Sequence, residues 1–483
     1  MSEPDPRRWK ALAVSLAAGF MSLLDVSIVN VALPSVQNGL GASAGSVQWI
    51  VSGYALTFGL SLVAGGRLGD VLGRRVMFLI ALTAFVLTSA LAGAAPNETL
   101  LIGARLLQGL AAGLLTPQNS GLIQDLFTGP ERGRAFGLLG ATIGISTATG
   151  PVLGGLILAA FGDETGWRWV FYVNVPVGAL AIALALRWLP KRDPARRGVG
   201  LRGQIDHVGA LLLGVAVLGV LLPIVETESG PSGWLWLFAV LTPVFGLLFV
   251  WWERRLTARG GKPLLDLRLF TEVSGYSSGL LLGSVYFCGF AGIFLVMSLF
   301  LQNGLHYTPL QSGLAVTPFA LGSSIMAAVA GRLVSRLGRK VTVAGLSLIM
   351  IGLAAVAVVV RLVPQDAIGG AIAIPLLLAG IGGGAVISPN TTLTLECVPN
   401  SIAGVAGGAL QTGQRIGTAI GTAVLATVFY DGVAGGFPAA LSTTLWCAIG
   451  FMLVAIVIAV YELRRVGVVR AEARPAGSDV DAG

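Results

Sequence analysis

The chain has 483 residues, of which 55% are hydrophobic and only 11% are charged, and its formal net charge is +8. Soluble domains carry about 25% charged residues, so this composition excludes an ordinary soluble protein. The basic residues lie in short segments beside apolar runs, which argues against nucleic acid as a partner. The spacing of the three cysteines fits neither a metal site nor a disulfide framework.

Apolar runs of about 20 residues, enough for a helix to cross a bilayer, recur along the whole chain. The first run is too long for a signal peptide and is interrupted by Asp25, so it predicts a first transmembrane helix. We therefore predict an all-α, polytopic membrane protein. The fourteen predicted helices span residues 10–33, 47–66, 76–95, 99–122, 134–159, 168–189, 207–226, 234–252, 273–301, 310–331, 341–362, 369–394, 402–429 and 439–462.

Two similar stretches, GRLGDVLGRRV and GRLVSRLGRKV, begin at Gly66 and Gly331. Each lies between two apolar runs, which indicates two related membrane halves. Such repeats are typical of secondary transporters, whose substrate site lies between the halves near the middle of the bilayer. The distance between the copies leaves room for two extra helices. The predicted regions are a six-helix bundle at 1–190, a linker with two inserted helices at 191–270, a second six-helix bundle at 271–465 and a disordered cytoplasmic tail at 466–483.

Most Lys and Arg residues fall on one side when the segments between predicted helices are assigned alternately to the two sides of the membrane. The positive-inside rule places that side in the cytoplasm, together with both termini, because the helix count is even. We expect a monomeric, multi-pass protein of the inner (cytoplasmic) membrane. Its expected partners are the lipid bilayer, protons and a small-molecule substrate.

Three charged residues, Asp25, Arg105 and Arg415, fall deep inside predicted helices, away from the helix ends. Each costs about 2.5–3.5 kcal/mol at a helix centre, which points to a function or to an ion pair. Asp25 could load and release protons, or it could be a structural carboxylate that an arginine binds permanently. Gln108 shares a helix face with Arg105, as Gln411 does with Arg415. Arg415 could meet an anionic substrate group, bind Asp25 or hold helices together.

Glycines mark segments that could move. In the first repeat they predict a tight turn, which the neighbouring arginines anchor at the membrane surface. Asp70, whose counterpart in the second copy is Ser335, could cap the N-terminus of a facing helix, an interaction worth about 0.3–1 kcal/mol. The fifth and thirteenth helices carry glycines four residues apart, which serve either plain packing or helix movement. The residues concerned are Gly66, Gly69, Gly73, Arg74 and Arg75 in the turn, Gly140, Gly144, Gly150, Pro151 and Gly154 in the fifth helix, and Gly413, Gly417 and Gly421 in the thirteenth.

Five segments match motifs of one transporter family. They contain Leu24, Asp25, Asn30, Ala32, Leu33 and Pro34; Gly66, Leu68, Asp70, Gly73, Arg74 and Arg75; Arg105, Gln108 and Gly109; Gly150, Pro151, Gly154 and Gly155; and Trp167, Arg168, Trp169, Asn174, Pro176 and Gly178. On these motifs the chain resembles the fourteen-helix drug:proton antiporters of the EmrB/QacA type, within the major facilitator superfamily. The resemblance covers nearly the whole chain.

The resemblance implies a major facilitator fold of two six-helix bundles plus two inserted helices. It also implies that Asp25 and Arg105 couple transport to protons and that Asp70 holds the outward-facing state. The remaining gating residues are Gly66, Gly73, Arg74, Arg75, Gly150, Pro151, Gly154 and Gly155. The candidate residues of the substrate cavity are Asn30, Trp49, Tyr54, Gln108, Gln118, Asn119, Asn390, Gln411 and Arg415.

We expect a proton-coupled exporter of amphipathic small molecules such as drugs, antibiotics or dyes, working by alternating access. Export of an endogenous metabolite or lipid is the alternative. The late helices lack the acids of dication exporters and contain Arg415 instead, which leaves weak cations, neutral antibiotics and anionic amphiphiles open. A membrane-embedded enzyme is disfavoured because HExxH and Walker motifs are missing from the sequence, and a scaffold because no sizeable soluble domain is apparent. No cofactor or metal is expected, and the proton gradient supplies the energy.

Overall fold

A computed structural model describes residues 6–162, 164–190, 206–226 and 235–472. The described residues are helical and contain no strand. Most of the predicted linker and the end of the predicted tail lie outside them. The α-helices are α1 (Arg8–Leu40), α2 (Ala44–Leu72), α3 (Arg74–Gly93), α4 (Glu98–Leu126), α5 (Gly129–Phe161), α6 (Gly166–Tyr172), α7 (Asn174–Trp188), α8 (His207–Glu226), α9 (Leu235–Ala258), α10 (Arg268–Thr271), α11 (Tyr276–Leu299), α12 (Pro309–Leu337), α13 (Arg339–Leu362), α14 (Ile368–Ala371), α15 (Ala373–Glu396), α16 (Ala403–Gly432) and α17 (Phe437–Glu472).

Eleven helical segments in the described part of the chain are long and apolar enough to cross a membrane. The number is twelve if the two parts of α5, which meet at a bend of 41°, form one span. The helices α8 and α9, at the place of the predicted inserted pair, are outside this set. The polytopic, all-helical architecture is therefore confirmed, and the total of fourteen spans stays a prediction.

The first half, α1 to α7, is held by two apolar clusters. One lies between α1, α2, α3, α4 and α7 and includes Phe58, Phe78 and Phe85. The other surrounds Trp167 and Phe171 of α6, against α1, α2 and α4. Each helix buries one apolar face inside this half, and further apolar side chains are exposed on its outer face. In a membrane, lipid would cover the outer face.

The second half, α11 to α17, has one large apolar core built from α11, α12, α13, α15, α16 and α17. Tyr286 and Phe319 are among the largest side chains that it buries completely. The helix α11 ends in one π-helical turn, Phe300–Gly304. The second half is thus a bundle with its own core, as the first half is.

Glycines allow helices of the two halves to approach each other closely, and one such contact lies where α2 ends and α16 begins. A Cβ at Gly66 of α2 would collide with the backbone of Gly404 in α16. In the same way, a Cβ at Gly331 of α12 would collide with the backbone of Gly133 and Gly137 in α5. Two helix pairs, α2 with α16 and α5 with α12, therefore approach each other closely enough that only glycine fits.

The prediction that Gly66 and Gly69 form a tight turn is wrong. The helix α2 continues through both residues to Leu72, and only Gly73, with φ 96°, turns the chain before α3. A Cβ at Gly69 would meet the side chain of Gln118 in α4. These two glycines make room for neighbouring helices, and a helix containing glycine can persist because its packing outweighs the cost of about 1 kcal/mol per glycine.

The helices α8 and α9 pack on the outside of the seam between the halves. Val217 and Leu221 of α8 form an apolar cluster with Leu56 of α2, and Ala419 of α16 packs against it. A Cβ at Gly219 of α8 would meet Thr242 of α9, so these two helices also lie against each other. The pair therefore touches one helix of each half.

Candidate functional site

Asp25 lies in the middle of the first half and is completely buried. Its Oδ2 atom accepts a charge-assisted hydrogen bond from Arg105 Nη1 at 2.5 Å. Its Oδ1 atom accepts from Gln108 Nε2 at 3.0 Å and from Asn174 Nδ2 at 2.9 Å. Three helices, α1, α4 and α7, therefore provide one carboxylate, one guanidinium and two amides. A fully hydrogen-bonded ion pair is the arrangement in which a buried charge is tolerated.

Arg105 makes further contacts besides its bond to Asp25. Its Nε donates to Ile50 O at 3.1 Å, and Nη1 also donates to Gln108 Oε1 at 2.8 Å. The guanidinium carbon lies 4.1 Å from the centroid of the Tyr54 ring. A proton arriving on Asp25 would remove the charge that holds Arg105 and would leave a cation with amide and aromatic contacts only. The geometry is therefore compatible with two roles of Asp25 and Arg105, a switch that responds to a proton and a permanent ion pair.

A row of cations and rings extends from this site toward the second half. Tyr54 stacks on Phe58, one helical turn further along α2, with centroids 6.1 Å apart and ring planes 19° apart. The guanidinium carbon of Arg415, in α16, lies 4.6 Å from the centroid of the Phe58 ring. We call Arg105, Tyr54, Phe58 and Arg415 the cation–aromatic row. It connects the buried carboxylate of one half to a helix of the other.

Arg415 is partly buried and does not bind Asp25. In the described part of the chain no carboxylate forms a salt bridge with its guanidinium. Gln411, on the same face, donates from Nε2 to Ser120 Oγ of α4 at 3.4 Å. Of the three roles open to Arg415 from the sequence, binding of Asp25 is therefore excluded in this conformation.

The other predicted cavity residues are scattered. Gln118 donates to Gly65 O and Leu114 O, and Asn119 accepts from Ser15, so both are bonded inside the first half. Asn390 accepts from Arg339 and donates to Gly279 O inside the second half. All three are buried. Trp49 packs in the cluster beneath α8, and Asn30 is exposed on α1. Only Tyr54, Gln108, Gln411 and Arg415 lie at or beside the cation–aromatic row.

Asp70 joins the halves by charge. Its two carboxylate oxygens accept from the backbone N–H groups of Gly404 and Val405, each at 3.0 Å, in the first turn of α16. An anion at the N-terminus of a helix interacts favourably with the helix dipole. Arg74, bound to Asp70 at 2.9 Å, also donates to Asn400 O at 3.0 Å. These interactions bridge the two halves.

The remaining gating candidates act within one half. Arg75 donates to the backbone oxygens of Leu186 and Leu189 at the end of the first half. A Cβ at Gly150 would meet Ser27 of α1, and one at Gly154 would meet Ile28. Gly155 has open space beside it. The side chain of Pro151 lies outside the described residues.

Glycines of α16 also fall into two groups. Gly404 and Gly408 face α2, whereas Gly413, Gly417 and Gly421 pack on Ser284 and Cys288 of α11, inside the second half. The three glycines for which packing or movement was expected therefore lie in a contact within one half, and the glycines that meet the other half begin at Gly404, the second residue of α16.

Two carboxylates and one amide were not among the predicted site residues. Asn174 binds Asp25, and its place in a family motif was the available signal. Glu253 of α9 is completely buried and accepts from Leu264 N at 3.2 Å. The nearby Asp206 accepts from Gly209 N and from Trp252 Nε1. Both acids lie at the predicted ends of the inserted helices, where a sequence gives no sign of burial.

The sequence of this chain is similar to those of known proteins. The sequence profile described as Major Facilitator Superfamily matches residues 15–227, 197–422 and 279–479. A Streptomyces coelicolor protein named "Probable actinorhodin transporter" is 36% identical over 438 residues, covering 88% of this chain and 73% of that one. The puromycin resistance protein pur8 of Streptomyces alboniger is 36% identical over 431 residues, covering 88% and 82%.

A solved transporter structure shares the fold of this chain. The crystal structure of the human organic anion transporter MFSD10 superposes with a TM-score of 0.67 at 15% identity, over 94% of this chain and all of that one. At this identity the likeness concerns the fold alone. Together with two helical halves and polytopic architecture, these matches show that the protein is a membrane-spanning transporter that belongs to the major facilitator superfamily.

Proposed function

We propose that the protein exports amphipathic small molecules, such as antibiotics or dyes, in exchange for protons. The observation that carries the proposal is the buried Asp25, bound by Arg105, Gln108 and Asn174 in the first half. The names of the relatives, a transporter of actinorhodin and a puromycin resistance protein, support antibiotics as the substrate class. The family motifs support the fourteen-helix drug:proton antiporter branch, with α8 and α9 as the additional pair of spans.

The proposed cycle uses the contacts between the halves. By the positive-inside rule, the distribution of basic residues supports a cytoplasmic position for the end with Asp70 and Gly404 and for both termini. In this conformation α2 is joined to α16, and α5 to α12, at that end. The structure then corresponds to a state closed toward the cytoplasm. Separation of these contacts would open the path for a substrate from inside the cell.

The proposed role of Asp25 is to carry the proton. With Asp25 ionised, the ion pair with Arg105 fixes the positions of α1 and α4. A proton on Asp25 frees Arg105, whose guanidinium also contacts Tyr54, and so changes the cation–aromatic row that leads to α16. Each proton that moves down a potential of about 100 mV supplies about 2.3 kcal/mol. No cofactor takes part in this scheme, and a monomer is sufficient for it.

The proposal is tested by accumulation of a lipophilic dye in an efflux-deficient bacterium. Expression of the protein should lower dye accumulation, and an uncoupler should abolish the difference because it removes the proton gradient. Expression of Asp25→Asn gives the matched control, with the same helices and without the titrating group. Efflux that continues without a proton gradient and follows the ATP level instead would contradict the proposal.

A further inference from the structure

One cation inside a predicted span has no carboxylate partner among the described residues. Arg415 is a guanidinium in the interior stretch of α16, one helical turn after Gln411. Its contact with Phe58 is an attraction between cation and ring and supplies no counter-charge. A cation inside a membrane span is costly and usually faces a partner or a water-filled space. Arg415 is partly exposed, and no carboxylate in the described part of the chain forms a salt bridge with it.

The acids of the neighbouring elements are already engaged. Asp25 is bound by Arg105 and by two amides. Asp70, which follows Phe58 by about three turns in α2, is bound by Arg74 and by two backbone N–H groups of α16. The pair Asp25–Arg105 has no net charge, so the cation–aromatic row together with Asp25 carries the single positive charge of Arg415. A proton on Asp25 would raise that charge by one.

Arg415 lies in the contact between α2 and α16, away from the end that contains Asp70. Along α16, Gly404 meets Gly66, Gly408 meets Leu62, and Arg415 meets Phe58. Each successive contact lies later in α16 and earlier in α2, away from the end that Asp70 joins. Arg415 thus lies in the seam between the halves, between the glycine contacts and the apolar cluster of α2 and α8.

We propose that Arg415 binds the anionic group of the transported molecule, a carboxylate or an ionised phenol carried on an apolar body. A guanidinium presents several N–H donors in a plane and matches the two oxygens of a carboxylate. Phe58 covers one face of the guanidinium and keeps its N–H edge oriented, and the adjacent apolar cluster of α2 and α8 suits the apolar part of the molecule. The proposal rests on the proposed transport function and adds the charge of its substrate.

The charge of the substrate sets how many charges cross the membrane in each transport cycle. An exported anion and an imported proton together move two positive charges inward per cycle, whereas a neutral substrate moves one and a monovalent cation none. At about 100 mV each moved charge is worth about 2.3 kcal/mol, or roughly a 50-fold concentration gradient. The membrane potential therefore favours anionic substrates over cationic ones in this scheme.

The test is a binding measurement on the purified full-length protein in detergent, with two fluorescent probes of equal shape. The probes are anthracene carboxylate, which is anionic, and anthracene carboxamide, which is neutral. We expect the parent protein to bind the carboxylate at least about tenfold more tightly than the amide, in line with a charge-assisted hydrogen bond. In Arg415→Gln this preference should disappear, and in Arg415→Lys part of it should remain.

The matched control is Arg361→Gln, which removes an equal charge from an exposed position at the end of α13 and should keep the tenfold preference. Thermal unfolding of each purified variant shows that its fold is intact. The proposal is overturned if the parent protein does not prefer the carboxylate, or if Arg415→Gln retains the preference. Because binding needs no gradient, a result in favour of Arg415 stands even where the uncoupler experiment fails, and the reverse also holds.

Discussion

The two copies of the repeated segment, at 66–76 and 331–341, make the same close contact and differ in their charges. Gly66 meets Gly404 of the second half, and Gly331 meets Gly133 and Gly137 of the first. In the first copy Asp70 accepts two hydrogen bonds from the start of α16. In the second copy the equivalent Ser335 donates to Arg332 O within its own helix and is exposed.

The arginines of the two copies differ in the same way. Arg74 donates to Asn400 O across the seam and also binds Asp125. Its counterpart Arg339 binds Asn390 and Glu462, both within the second half. The glycines therefore allow either pair of helices to close. In the described residues, Asp70 and Arg74 make three hydrogen bonds to the segment 400–405, whereas the charged contact across the seam from α5 is one bond of 3.3 Å from Arg132 Nη1 to Glu396 O at the end of α15. From this we infer that the two pairs of helices contribute unequally to the stability of the closed state.

The largest effect is expected where the two copies agree. Gly66→Val and Gly331→Val should each reduce dye efflux to a background level, because a side chain would collide with the backbone of the other half. Gly450→Val in α17 is the control, since open space surrounds that position. Efflux assays and size-exclusion profiles measure activity and folding. Parental efflux by either variant would show that the close contact is dispensable.

A smaller effect is expected where the copies differ. Asp70→Asn keeps the size of the side chain but replaces one accepting oxygen by an NH₂ group that faces a backbone donor. An anion at a helix N-terminus is worth up to about 2 kcal/mol when partly buried, so efflux should fall roughly tenfold or more. Ser335→Ala should change efflux by less than about twofold, because it loses one exposed hydrogen bond. Equal losses in the two variants would remove the inferred asymmetry.

The smallest effect is expected from an attempt to make the copies equal. The start of α5 faces the second copy, and it contains Pro130, which has no N–H, and the acidic Glu131. An acid at position 335 would find fewer backbone N–H donors there than Asp70 finds at the start of α16. Ser335→Asp should therefore not restore efflux to Asp70→Asn, and alone it should have little effect. Recovery in the double variant would mean that any charge on this surface suffices.

The sequence was sufficient for those features that depend on composition and local pattern. Long apolar runs located the helices α1 to α5 and α11 to α17 to within a few residues at most ends, because a membrane-spanning helix needs a continuous apolar stretch. The rarity of charge inside such runs singled out Asp25 and Arg105, which the structure brings together.

Features that depend on contacts distant in sequence could not be derived. Gly66 and Gly69 suggest a turn locally, yet they lie in a helix because their partners are α16 and α4. Phe58 gave no signal that it would lie against Arg415, and Gln118 and Asn390 proved to be bonded inside their own halves. The burial of Glu253 likewise depends on the residues after α9, which fold back to provide Leu264 N.

The central claim is that the proton which drives export binds at Asp25. The measurement that tests it most directly uses proteoliposomes with an imposed proton gradient and a transported dye, comparing the parent protein with Asp25→Asn. The variant keeps the size of the side chain and removes the titration, so uphill transport should be lost while downhill exchange of dye continues. Transport by Asp25→Asn against a gradient at the parental rate would place the proton site elsewhere and contradict the account.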